Sequence, residues 1–145
     1  MKDMFFNVYM TQEYKIAKDS TTKIVELDGR KIRNLNELYQ VLRQELVFGD
    51  SFGFNLDALY DSLSDLSWLP FQKIVLKFIN TEELLEEETT DTIYEVFDVF
   101  NDASSSINNE PLFGSSEREL SYYFEQSNRI EDLLDQSFLI WGHVG

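Results

Sequence analysis

The sequence predicts a small α/β fold, a parallel sheet of about three strands packed with helices. Three observations predict it. Lys23–Leu27 (KIVEL) alternates apolar and polar residues, and Lys73–Ile79 (KIVLKFI) is almost continuously apolar, as a central buried strand is. Between them lie two stretches with leucines at helical spacing, and a third helical stretch follows. The order strand, helix, helix, strand, helix supplies the crossovers that parallel pairing requires.

Taken in order, residues 1–22 read as an N-terminal extension with room for an added strand over Phe5–Met10. KIVEL runs into Asp28-Gly29, a turn pair. Asn34 with Glu37 forms a capping-box pattern, and Leu35, Leu38, Tyr39, Leu42 and Leu46 predict a helix over 35–46. Phe48-Gly49-Asp50-Ser51 breaks it. Asn55 is a good N-cap for a helix over 55–66 carrying Leu56, Leu59, Leu63 and Leu66, and Pro70 marks the exit. Thr81 can cap a short acidic stretch after the strand Lys73–Ile79, and a helix over 92–103 turns Ile93, Val96, Phe97, Val99 and Phe100 inward. Ser104–Ser116 reads as a loop. Ser116-x-x-Glu119 and Asn128-x-x-Glu131 suggest short helices over 117–125 and 129–136. Residues 104–136 then form a helical insertion before a last strand, Ser137–Val144, and 1–145 is one domain, with no linker to divide it.

In these 145 residues, 27 Asp and Glu stand against 12 Lys and Arg, a formal charge of -15. Hydrophobic residues make up 43% and aromatics 14%, enough to build a core, so this is not the acidity of a disordered tail. Such a field repels phosphates and excludes direct nucleic-acid binding through a general basic surface. With no Cys and one His, Cys nucleophiles and Cys/His zinc or iron–sulfur sites are excluded too. The apolar N-terminal stretch is broken by Asn7 and ends at Gln12 and Glu13, too short and polar for a signal peptide. No apolar run reaches the roughly 18 residues of a membrane span. A cytoplasmic protein with no membrane partner is expected, and the lack of Cys agrees with a reducing compartment.

Helix 55–66 carries the most chemical meaning. At about 100° per residue its four leucines gather on one side. Asp57, Asp61 and Ser64 fall nearly opposite, with Tyr60 at the border. Like charges four residues apart repel by a few tenths of a kcal/mol. The helix dipole compensates Asp57 but not Asp61. On spacing alone this is a solvated face; the sharper alternative is an anionic, aromatic-edged patch for a cationic cleft.

Other candidates carry less. The run Glu82, Glu83, Glu86, Glu87, Glu88 lacks the central glycine of a calcium loop and reads as solvated surface whose field can steer a basic partner. His143, beside Gly142, has no second ligand and reads as structural or surface. The serines of 104–106 and 115–116 sit in no G-x-S-x-G elbow, and no phosphate-binding glycine motif occurs. Phe5, Phe6, Trp68, Tyr122, Tyr123, Phe124 and Trp141 read as packing residues. No catalytic residue, metal site or cofactor is expected.

The run Ser51–Leu63, SFGFNLDALYDSL, closely resembles the signature of the barstar family, intracellular inhibitors of secreted ribonucleases. The resemblance extends upstream through IRNLNELYQVLRQEL and the Asp28-Gly29 turn, and downstream through Trp68-Leu69-Pro70 and KIVLKF, covering 23–80. Over 81–103 it rests on element order alone. It implies a barstar-like fold of a three-stranded parallel sheet with helices around it. It also implies that the second helix and the loop before it plug a ribonuclease active site, carboxylates among the groups that would hold RNA phosphate. The family's helix acids fall on Asp57 and Asp61 and its helix aromatic on Tyr60, while Gly53 and Asn55 fit the loop and cap positions. Phe52 beside Ser51 and Ser64 on the outward helix face complete the expected partner-binding residues. Ser51 replaces a loop tyrosine, Leu66 stands near a contact tryptophan, and Val96–Phe100 offers no third-helix glutamate.

The expected function is an immunity-type inhibitor whose partner is a basic secreted ribonuclease or nuclease toxin. The alternative is an acidic nucleic-acid mimic that binds a non-nuclease DNA- or RNA-binding protein. A third possibility, Asp57 and Asp61 as an acid/base pair or metal ligands, ranks below both, because an exposed face lacks the shielding that tunes such groups.

Overall fold

Four parallel strands form one sheet in the computed structural model, which describes residues 6–9, 19–109 and 118–135. The strands are β1 (Phe6–Tyr9), β2 (Thr22–Asp28), β3 (Lys73–Ile79) and β4 (Glu119–Glu125), in spatial order β1-β4-β3-β2. The helices are α1 (Leu35–Glu45), α2 (Leu56–Asp65), α3 (Thr90–Asn109) and α4, residues 128–135. Strands β2, β3 and β4 form a contiguous three-stranded parallel core, and β1 extends it at the β4 edge.

Register explains the core. Phe6 pairs with Tyr122, Tyr122 with Leu76 and Leu76 with Val25, so one row of apolar side chains crosses the whole sheet. The next row on the same face runs Val8, Phe124, Phe78, Leu27. Side chains alternate along a strand, so these rows face the helices together. There they meet Leu38 and Leu42 of α1, Leu59 and Leu63 of α2, and Val96, Phe97 and Phe100 of α3. The opposite face is more polar, with Lys77 paired to Glu26 at 3.8 Å. At the end of β2, Gly29 passes so close to β3 that a Cβ there would meet the Asn80 carbonyl oxygen at 2.4 Å. Only glycine fits.

Two expectations fail in the C-terminal third. Residues 117–125 were expected to be helical, yet Glu119–Glu125 is strand β4. Its Leu120, Tyr122 and Phe124 are buried at a period of two, and aromatic residues favour a pleated surface. The serines of 104–106, expected in a loop, continue α3, because Ala103, Ser104 and Ile107 extend its buried stripe. Tertiary packing overrides the weak helix propensity of serine there. Residues 104–136 are therefore no insertion of helices alone. The helix expected over 129–136 is α4, while the strand expected over 137–144, with His143, lies outside the described residues.

Candidate functional site

Helix α2 is held at both ends and along one side. Asn55 caps its start, its side-chain oxygen accepting from the Ala58 N–H at 2.8 Å while its amide nitrogen donates to the Gly53 carbonyl at 3.0 Å. Gly53 lies tight against that cap, and a Cβ there would stand 3.1 Å from the Asn55 amide nitrogen. Leu59 and Leu63 are fully buried, and Leu66 closes the helix in a left-handed conformation (φ 52°). Beyond it, Arg118 donates to the Asp65 and Leu66 carbonyls at 2.7 and 2.6 Å. A guanidinium there answers both the unpaired carbonyls and the negative end of the dipole, since the last turn of α2 has no basic residue of its own.

The other side of α2 is open. Asp57 and Asp61 are exposed, and among the described residues neither carboxylate has a hydrogen-bond or ion-pair partner. One turn apart, they stand with Cβ atoms roughly 5–6 Å from each other. Tyr60 is half-buried, and its hydroxyl shares a hydrogen bond with the Ser106 hydroxyl of α3 at 2.8 Å. Its ring is thus anchored as a wall between α2 and α3. The Ser64 hydroxyl turns back to the Tyr60 carbonyl at 2.7 Å, engaged by its own helix. Phe52 is half-buried among the rings of Phe48, Phe54 and Tyr39, with centroids 5.0, 5.2 and 5.9 Å away, and stiffens the loop before α2.

Leu66 is completely buried and presents nothing to a partner. Val96, Phe97 and Phe100 of α3 are in the core, as their spacing predicts. Two supports escaped sequence reasoning. Ser106 sits in a serine run that signals a loop, and Arg118 lies 53 and 52 residues from the two carbonyls it binds. Among the described residues, no three His, Cys, Asp or Glu side chains are grouped to hold a metal ion, and no helix is long and apolar enough to cross a membrane.

A parallel sheet under four helices, the second of them outwardly anionic, is the architecture of a barstar-like α/β protein. The chain belongs to the barstar (barnase inhibitor) family, whose pattern it matches over residues 22–122, from β2 into β4. It is also 31% identical over 84 residues to a Bacillus subtilis (strain 168) protein named "Putative ribonuclease inhibitor YrdF", covering 58% of this chain and 88% of that one.

Proposed function

We propose that this protein inhibits a ribonuclease by seating the outer face of α2 in the basic cleft that would bind RNA phosphate. One observation carries the proposal: Asp57 and Asp61 are exposed and unpartnered on a helix whose other face is locked into the core. Carboxylates with no partner at home have no internal ion pair to break when a cationic cleft takes them, and pairing there offsets the hydration they give up. Tyr60 and the Gly53–Asn55 loop flank the contact, with Phe52 and Ser64 shaping it from behind. In this role the protein acts in the cytoplasm of the producing cell as an immunity protein against a secreted nuclease or nuclease toxin. Steric occupation is the whole mechanism, so the protein works without catalytic groups or a cofactor.

The family and the YrdF relative, whose name describes a ribonuclease inhibitor, support this reading. The test is an RNA-degradation assay with barnase and with any nuclease encoded beside this protein. Protection of RNA that is lost in an Asp57→Ala/Asp61→Ala variant is the expected result. Failure to protect against any of them, with competition against DNA for a DNA-binding protein instead, would replace it with nucleic-acid mimicry.

A further inference from the structure

The outer face of α2 is held from a second helix. Tyr60 lies between Asp57 and Asp61 on α2, and its hydroxyl shares a 2.8 Å hydrogen bond with the Ser106 hydroxyl of α3, 46 residues further along the chain. Ser106 borders the buried stripe of Ala103, Ser104 and Ile107, so the packing of α3 in the core fixes where that hydroxyl stands.

Helix α3 takes a second phenol, and the two serve different ends. Tyr122 is completely buried, and its hydroxyl donates to the Phe100 carbonyl at 2.7 Å. A buried phenol needs such a partner, because leaving it unpaired costs more than the bond itself contributes. Tyr60 is only half-buried, and water would satisfy its hydroxyl there. Pairing it with Ser106 therefore adds little to stability; its main effect is to fix the direction of the ring. Serine is also a poorer helix former than alanine, so the helix gains nothing of its own from a hydroxyl at 106.

We infer that Ser106 is a positioning residue for nuclease binding. It engages the Tyr60 hydroxyl inside the protein and sets the ring so that its apolar carbons, and not its hydroxyl, meet the partner beside Asp57 and Asp61. This rests on the inhibitory reading of α2. An aromatic side chain fixed before contact has no rotamer freedom left to lose on binding, a saving of about two- to tenfold in affinity.

The test measures the affinity of the full chain for a ribonuclease that it inhibits, barnase first. Ser106→Ala and Tyr60→Phe should each weaken binding about two- to tenfold. The double variant should lose no more than either single one, because both changes remove the same hydrogen bond. Ser106→Thr keeps a hydroxyl and should restore most of the affinity. The thermal midpoint of Ser106→Ala should hold, since the helix propensity of alanine offsets the lost bond. Side-chain NMR of the free protein should show one Tyr60 rotamer in the parent and averaging in Ser106→Ala, a signature that needs no nuclease. Losses that add in the double variant would mean that the hydroxyl bonds the nuclease directly, and would overturn the inference. So would unchanged binding by Ser106→Ala beside weakened binding by Asp61→Ala, which leaves the inhibitory reading standing. If no ribonuclease is inhibited, that reading falls and this inference falls with it.

Discussion

Two acidic regions of this molecule use the same functional group for opposite ends. In the turn after β3, carboxylates are engaged within the chain: Glu86 pairs with Arg33, Glu87 accepts from the Asn34 side chain at 2.9 Å, and Glu88 accepts from the Leu35 N–H at 2.9 Å. That turn also lays a ladder on the approach to α1, with the Leu85 and Glu87 N–H groups donating to the Ile32 and Arg33 carbonyls at 2.8 and 2.9 Å. Glu88 satisfies one of the orphan donors at the α1 N-terminus, where the dipole favours a negative charge. On α2, Asp57 and Asp61 engage nothing among the described residues. A run of five glutamates within 82–88 looks the stronger signal on paper, yet three of them hold the fold together. On the proposed reading, the two isolated aspartates are the ones that meet a partner.

That contrast can be broken by mutation, and the largest effect is expected in binding. Asp61→Ala should weaken ribonuclease inhibition at least about thirtyfold, the loss of about 2 kcal/mol or more that follows when one member of a desolvated charge pair is removed. Glu87→Gln should change it less than about threefold, and calorimetry on both variants decides. Equal losses would mean that a diffuse field, and no plug, drives binding. Stability should move the other way. Asp61→Asn relieves a repulsion and should leave the urea midpoint unchanged or raise folding stability by a few tenths of a kcal/mol. Arg118→Ala should lower stability by about 1–2 kcal/mol, since hydrogen bonds to a charged donor contribute about 1.5–3 kcal/mol and water replaces part of them. Hydrogen exchange should show the loss at the C-terminal turn of α2.

Glu88→Gln should cost about 0.5–1.5 kcal/mol, because the amide still accepts from Leu35 but brings no charge to the dipole. The smallest effect concerns pH. Asp28 accepts from the Arg30 guanidinium and backbone N–H and from Asn80, and the Arg30 side-chain hydrogen bonds above all hold its carboxyl down to about 2. A carboxyl with a lowered folded-state pKa contributes stability above its unfolded value near 3.8, and that contribution is lost as pH falls toward 2. Denaturation midpoints should fall over that interval, and Asp28→Asn should flatten part of the slope.

Legibility followed the range of the interactions. Strands β2 and β3 and helices α1 and α2 could be read because each has a clean period and a local start or stop signal: Asn34, Asn55, Asp28-Gly29. The Ser-x-x-Glu pattern before β4 misled, since a capping box is short and the alternation of Leu120, Tyr122 and Phe124 was the better guide. Of the candidate site, the outward pair of aspartates followed from helical geometry alone. What engages Tyr60, Ser64 and Phe52 did not.

Amino-acid order alone determined which side of α2 is apolar and where that helix begins, because both depend on neighbours within a few residues. It also set the strong negative charge and ruled out cysteine chemistry. Only the tertiary structure decided which carboxylates are free, because the guanidinium and N–H groups that claim Glu86, Glu87 and Glu88 lie 53 residues away. It likewise decided that Arg118 closes α2 and that Ser106 holds Tyr60, contacts that exist only once β4 and α3 have packed. Periodicity reports a face; charge becomes available or engaged only when distant segments meet.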